Sequence, residues 1–451
     1  MRNKRLFLAI ASIILLEGSC THAITSNEKI RMVQLDSLGH TRLFKPPPCE
    51  MVNSDLYEWN ISTPEEYGTD SEQLARAFLE ATNFANLYSI LLIRNGTLIA
   101  ERYFNGASKD DAFHIHSVAK SFTTTLVGIA FQEGYLTSLD QKLMDFFPEY
   151  ASPDLDPRKY NITIHHLLSM TAGFDFPENT ANWTAYTGSS NWVKYAIELP
   201  LRHSPGADWA YSTPHTNLLS AILTKATGMN TRAFAEKYLF SPLQIAVNHW
   251  HQDPQGIYTG GHEMYFAPRN LARLGLLYLE NGKIDGQLIL SAEWLEKSLG
   301  DFTNGSLKEY EEATGGWISI SDMAYGYGWW LGTMNHIMAL NQTTPLYEVY
   351  YAMGLGGNFI LNIPELNVII VTTASGTIFD RSNEEEDIMN FIARKIIPAI
   401  SIEITPPNTT VSSQFDKNSA AITTGGLPGF ELLLLVIGLC LVFISQRKRG
   451  K

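Results

Sequence analysis

Two hairpin signals sit near opposite ends of the chain, and they constrain the fold more than any other feature. Tyr88-Ser-Ile-Leu-Leu-Ile93 and Thr97-Leu-Ile-Ala-Glu-Arg-Tyr103 are rich in β-branched and aromatic residues and meet across Asn95-Gly96. That dipeptide supplies both left-handed positions of a tight type I′ turn. Far downstream, Phe359-Ile-Leu-Asn-Ile363 and Val368-Ile-Ile-Val-Thr372 flank Pro364-Glu-Leu-Asn367, a second hairpin. Each hairpin has a helix beside it. Asp70 is a good N-cap for a helix from Ser71 to about Thr82, in which Leu74, Ala77, Phe78 and Ala81 recur at helical spacing. Ile388, Phe391, Ile392 and Ile396 give a closing helix that stops at Pro398. Residues 117–300 are mostly helical in pattern. The predicted fold class is therefore α+β, an α/β sandwich in which both chain ends build one antiparallel sheet around an inserted, mainly helical subdomain.

Composition is consistent with this. Of 451 residues, 45% are hydrophobic and 18% charged, against roughly 25% charged in an average globular chain. There is ample material for a core, and no collagen, coiled-coil or disordered signature. Lys plus Arg number 33 and Asp plus Glu 46, a net charge of −13. No long basic run occurs before the extreme C-terminus, so nucleic acid and acidic lipid are poor partners for such a surface. Of three cysteines, Cys20 and Cys440 lie in the terminal segments, which leaves Cys49 without an internal disulfide partner and no Cys metal site.

The termini point to export. Arg2, Lys4 and Arg5 precede an apolar run over residues 6–16 and a Thr21-His22-Ala23 stretch, so residues 1–23 read as a signal peptide. Residues 24–58 read as an N-terminal extension and 59–402 as the main folded domain. Residues 403–428, rich in Ser, Thr, Pro and Gly, cannot bury enough surface to fold and read as a tether, with a reach of roughly 30 Å. Residues 432–444 are unbroken apolar, followed by Arg447, Lys448, Arg449 and Lys451, so 429–451 is expected to anchor the chain with its body outside. Pro428-Gly429-Phe430, the apolar run and the basic tail resemble the C-terminal sorting signals of archaeal surface proteins. Glycosylation acceptors at Asn60, Asn95, Asn161, Asn182, Asn304, Asn341 and Asn408 all fall on the outer side of that topology. The expected location is the outer face of the cytoplasmic membrane.

Candidate chemistry begins at Ser117. In His116-Ser117-Val-Ala-Lys120-Ser121 the hydroxyl and the amine are three positions apart at the start of a helical run, which puts both on one face. The positive end of a helix favours an ionised nucleophile and disfavours an ammonium there, so a neutral Lys120 could take the Ser117 proton. The competing constellations are weaker. His114-x-His116 and His249-x-His251 lack a third metal ligand. His262-Glu263 has Phe266 where a zincin needs His. Neither metal nor cofactor is expected.

Further segments give this pair a family context: Ser62-Thr-Pro-Glu-Glu66, Ile162-Thr-Ile-His-His-Leu-Leu-Ser-Met-Thr-Ala-Gly173, Pro205-Gly206, Trp209-Ala-Tyr211-Ser212, Leu239-Phe-Ser-Pro-Leu243, Asp253-Pro-Gln-Gly256, Gly260-Gly261, Ala267-Pro-Arg-Asn-Leu-Ala-Arg273-Leu-Gly275, Tyr325-Gly-Tyr-Gly-Trp-Trp330 and Gly354-Leu-Gly-Gly-Asn358. Over roughly residues 60–400, and in this order, the chain resembles the serine β-lactamase and penicillin-binding superfamily, specifically its branch of class C-like esterases and 6-aminohexanoate-dimer hydrolases. The resemblance implies that Tyr211 supplies a second proton-transfer group. Two places on, where the family usually has Asn, this chain has Thr213. The family's strand-edge K-T-G corresponds to Ala352-Met353-Gly354, so the cation that helps bind a substrate carboxylate is absent. Gly354 remains, and the N–H groups of Leu355 and Ser117 would form the oxyanion hole.

The resemblance thus implies a serine hydrolase acting on a small-molecule ester or amide through an acyl-enzyme. The alternatives are a catalytically silent surface-binding protein and a D-Ala-D-Ala carboxypeptidase of penicillin-binding type, the latter disfavoured by Ala352.

Overall fold

The computed structural model describes residues 56–178, 180–307, 319–335, 346–376 and 384–400, together with a short hairpin of β1 (Met32–Leu35) and β2 (Thr41–Phe44) within the N-terminal extension. The leader, the tether and the C-terminal apolar run lie outside the described residues. Among the described residues no helix is long and apolar enough to cross a membrane.

The strands that follow are β3 (Leu87–Arg94), β4 (Thr97–Tyr103), β5 (Phe113–His114), β6 (His249–Trp250), β7 (Met264–Phe266), β8 (Lys283–Ile284), β9 (Gln287–Leu288), β10 (Ile320–Tyr325), β11 (Trp330–Asn335), β12 (Leu346–Gly354), β13 (Asn358–Ile363) and β14 (Val368–Ala374). Seven of them form one antiparallel sheet in the order β10-β11-β12-β13-β14-β3-β4. The N-terminal hairpin therefore pairs with the C-terminal strands, as expected of a sheet drawn from both chain ends. Asn95 and Gly96 have φ of 50° and 72°, which fits the type I′ turn read from the sequence.

The apolar runs of β3, β13 and β14 are continuous because both faces of the sheet are covered. Leu91, Ile93, Ile360, Ile369 and Val371 face one core, with Phe122, Leu126, Leu271 and Leu274. Ile90, Leu92, Phe359, Leu361 and Ile370 face the other, with Leu74, Ala77, Ala81, Ile388, Met389 and Ile392. The first core is packed by the helices Ala119–Gln132 and Pro268–Leu279, the second by Ser71–Ala81 and Glu384–Phe391. Asp70 caps Ser71–Ala81 by accepting the Gln73 N–H at 2.9 Å. Gly275 lets its helix approach the sheet closely, since a Cβ there would lie 2.8 Å from Ile369 Cγ2 and 2.9 Å from Ile360 Cγ2.

The structure differs from the sequence reading in several details. The inserted region is mainly helical but also holds a small sheet in the order β5-β7-β6, whose strands are too short to carry a period of two. Ser117 does not start the α-helix. It sits in a 3₁₀ turn, His116–Val118, directly before Ala119–Gln132.

Candidate active site

The turn that carries Ser117 is held from two sides. The Ile115 N–H donates to Met264 O at 3.0 Å, and the Val118 N–H donates back to Ile115 O at 3.1 Å. His116 adopts φ of 48°, a left-handed conformation that typically costs about 1–3 kcal/mol in a non-glycine residue and persists only where the surroundings enforce it. Every residue from Ala119 to Ala130 is buried, so the helix behind Ser117 is packed on all sides.

Lys120 is buried at 1% exposure. Its Nζ lies 2.9 Å from Ser117 Oγ, 3.0 Å from Thr213 Oγ1 and 3.0 Å from Gly261 O. Burial disfavours the ammonium and lowers this amine to about 8, with the negative charge of Glu178 pulling the other way. A neutral amine has two hydrogens and one lone pair. With Thr213 Oγ1 and Gly261 O to accept the hydrogens, the lone pair is left for the Ser117 hydroxyl.

Tyr211 presents its ring to the same amine, with 4.8 Å from Lys120 Nζ to the ring centroid. It is wedged between Trp330 (5.7 Å, stacked) and Tyr325 (5.9 Å, edge-on). Burial pushes its phenol well above the ordinary range, and a hydrogen bond with Ser117 opposes the rise. Ser117, Lys120 and Tyr211 are therefore brought together.

Gly354 ends β12 beside the turn that carries Ser117. A Cβ there would lie 2.3 Å from Ile115 O and 3.2 Å from Ser117 N. The β12 strand pairs with β11 only as far as Tyr351 opposite Trp330, so Ala352, Met353 and Gly354 run past that neighbour and are flanked by β13 alone. The K-T-G counterpart is thus a strand edge locally, although β12 lies inside the sheet. Ala352 is fully buried on the face that packs against Val118 and Ala119. The loop that carries Leu355 is pinned by Asn358 Nδ2 donating to Leu355 O at 2.8 Å, the Gly356 N–H donating to Glu385 Oε1 at 2.8 Å, and Thr372 Oγ1 donating to Gly357 O at 2.6 Å.

Three participants were not legible as such in the sequence. Thr213 stood out only as a departure from the family's Asn, yet its hydroxyl takes the contact to the amine. The Gly261 carbonyl reaches Lys120 because Gly260 and Gly261 press against the helix Thr213–Thr227, where a Cβ would lie 2.0 Å from Thr216 O and 2.4 Å from Thr216 Oγ1 respectively. The Gly-Gly pair was the signal for that approach. Glu178, whose carboxylate accepts the Thr213 N–H across 35 positions, gave no signal at all.

The histidines behind the site crowd together without forming a ligand set. The His114 and His116 rings lie 3.8 Å apart, and His114 Nε2 accepts the Glu263 N–H at 3.1 Å, so that nitrogen carries no proton. Among the described residues no group of three or more His, Cys, Asp or Glu side chains could hold a metal ion.

A two-faced antiparallel sheet, an inserted helical subdomain and a Ser-x-x-Lys turn facing a Tyr together define a protein of the β-lactamase and transpeptidase type, the serine-hydrolase fold. The sequence pattern of the family described as Beta-lactamase matches residues 72–392, and the chain belongs to that family. It is 24% identical over 258 residues to the 6-aminohexanoate-dimer hydrolase of Paenarthrobacter ureafaciens, covering 54% of this chain and 63% of that protein. It is 26% identical over 167 residues to esterase EstB of Burkholderia gladioli, covering 34% and 42%. The matches thus span less than two thirds of these relatives' own length. Among solved structures, a simvastatin synthase variant from Aspergillus terreus superposes with a TM-score of 0.55 at 14% identity, over 74% of this chain and 98% of that one. EstCE1, a hydrolase with promiscuous acyltransferase activity, gives 0.54 at 17% identity over 72% and 97%. At these identities the likeness is one of fold.

Proposed function

We propose that the protein is a serine hydrolase that cleaves an ester or amide through an acyl-enzyme on Ser117. The observation that carries this reading is the Lys120 amine, buried, lowered to about 8 and 2.9 Å from Ser117 Oγ. Neutral Lys120 takes the Ser117 proton as Oγ bonds to the substrate carbonyl carbon. The negative oxygen so formed is held by the N–H groups of Ser117 and Leu355, donors worth about 3–4 kcal/mol each in a comparable oxyanion hole. Tyr211 gives its hydroxyl proton to the departing alcohol or amine and is refilled from the Lys120 ammonium. Water then attacks the acyl-enzyme by the reverse proton path, releasing the acid and Ser117.

Ala352 supports a substrate without a carboxylate beside the scissile bond, since a fully buried methyl offers no cation. β-Lactams and D-Ala-D-Ala peptides are accordingly disfavoured. We also propose export and tethering at the outer membrane face through residues 429–451. The basic and apolar leader, the apolar run with its basic tail, and the exposed acceptors Asn60, Asn95, Asn161 and Asn304 support this. A fluorophosphonate probe and a p-nitrophenyl ester test the enzyme reading. Wild type should label and turn over while Ser117→Ala does neither; equal reaction of the two refutes it.

A further inference from the structure

The helix Thr213–Thr227 begins at the site: Tyr211 lies just before it and Thr213 is its first residue. Helix starts normally satisfy their free N–H groups through the N-cap side chain. Here that side chain does not serve. Ser212 makes no capping hydrogen bond, and its buried hydroxyl has no partner among the described residues. Pro214 contributes no N–H. The Thr213 N–H is instead taken by the Glu178 carboxylate from a distant loop, a placement that the positive end of the helix favours. The same residue's hydroxyl lies 3.0 Å from Lys120 Nζ, and that nitrogen lies 2.9 Å from Ser117 Oγ. An unbroken chain of contacts therefore runs from Glu178 through Thr213 and Lys120 to the nucleophile.

We propose that Glu178 is a positioning residue of the acyl-transfer site, which holds the Thr213 backbone so that the Thr213 hydroxyl receives one Lys120 hydrogen and the amine lone pair stays aimed at Ser117. The inference rests on the reading that Ser117 and Lys120 are nucleophile and base. Glu178 is itself exposed, and its charge is the acidic one acting on Lys120. Position and charge are thus separable by substitution.

The test measures kcat and KM for a p-nitrophenyl ester across pH in the full chain, for Glu178→Ala, Glu178→Gln and Ser117→Ala. Loss of alignment at a reacting pair costs up to about 10²-fold for a 1 Å error. Glu178→Ala should lose roughly tenfold in kcat with KM within about twofold, a share of that limit. Glu178→Gln keeps an oxygen that accepts the Thr213 N–H and should recover most of kcat. Its acid limb should shift to lower pH, because the anion that favours the ammonium is gone. Unchanged kcat in Glu178→Ala, a raised KM at unchanged kcat, or a Glu178→Gln as impaired as Glu178→Ala would each overturn the proposal. If Glu178→Ala does not fold, Glu178→Asp, which keeps the charge but draws the oxygen back by one methylene, should lower kcat with the limb unmoved; unchanged kcat overturns it. Turnover by Ser117→Ala at the wild-type rate would sink the enzyme reading and this one with it. A dead Ser117→Ala beside an unaffected Glu178→Ala sinks this one alone.

Discussion

Gly354→Ala tests the oxyanion geometry directly. The added methyl would sit 2.3 Å from Ile115 O and 3.2 Å from both His116 Cβ and Ser117 N, where ordinary contact begins at 3.4 Å. Relief requires the end of β12 and the nucleophile turn to part by about 1 Å, and neither side can give easily. Ile115 is tied through its N–H to Met264 O and through its carbonyl to the Val118 N–H. Gly354 is paired with Asn358 in the sheet, and its carbonyl accepts the Gly357 N–H at 3.2 Å. Forcing a methyl into such a contact costs about 1–3 kcal/mol of stability, which a domain of this size can tolerate. The catalytic cost is larger. A displacement of that size at the reacting centre is worth about 10²-fold, and loss of one oxyanion donor about 10²–10³-fold in kcat. Stopped-flow acylation by p-nitrophenyl acetate, with a melting curve to establish folding, should therefore show the acylation rate of Gly354→Ala down by roughly 10²–10³-fold. A folded Gly354→Ala that acylates within about threefold of wild type would mean that the oxygen is not held between Ser117 and Leu355.

Two further outcomes follow from buried groups. If Lys120 acts as the neutral base, kcat/KM for a neutral ester rises with pH through about 8; Lys120→Ala should remove that limb and about 10²–10⁴-fold of the rate, and a limb centred below pH 6 in wild type would refute the assignment. His215 is fully buried, gives Nδ1 to Ser212 O at 3.0 Å and is lowered by burial from 6.5 to about 4. Between those values the unfolded chain carries the proton and the folded chain does not, so stability is complete above pH 6.5 and is lost as pH falls toward 4, by at most about 3 kcal/mol. Urea unfolding of wild type and His215→Asn across that range should show a shallower acid loss in the variant; parallel curves would show that His215 contributes none of it.

What could be read from the chain depended on how local each signal was. Asn95-Gly96, the Asp70 cap and the apolar spacing of the helix Ser71–Ala81 are short-range, and the structure carries each where the pattern placed it. The pairing of β14 with β3 was inferable only as an economical way to cover two apolar hairpins. The strands β10 and β11 were missed for a physical reason: Asp322 at φ of 53° and a register shift between Ser321 and Ala324 break their alternation, as does Gly332 in β11. At the site, Ser117 and Lys120 are neighbours on one turn and so were visible from spacing. Tyr211, Gly354 and Leu355 came only through the family resemblance. Thr213, Gly261 and Glu178 act through one backbone carbonyl, one backbone N–H and one hydroxyl, and such contacts leave almost no imprint on residue type.

Burial acts in opposite directions on Lys120 and Tyr211, and in the proposed cycle this would divide their labour. It lowers the Lys120 amine toward neutrality and raises the Tyr211 phenol far above it. A phenolate is therefore costly while Lys120 is neutral, so in the proposed cycle the first proton leaves Ser117 for the amine. Once Lys120 is an ammonium, its charge 4.8 Å from the Tyr211 ring centroid makes the phenol a stronger acid at the moment the leaving group needs a proton. Glu178 favours the Lys120 ammonium, and in the proposed cycle it would temper the step that forms it. With Ala352 where the family has a lysine, the site has no cation at that position for a substrate carboxylate.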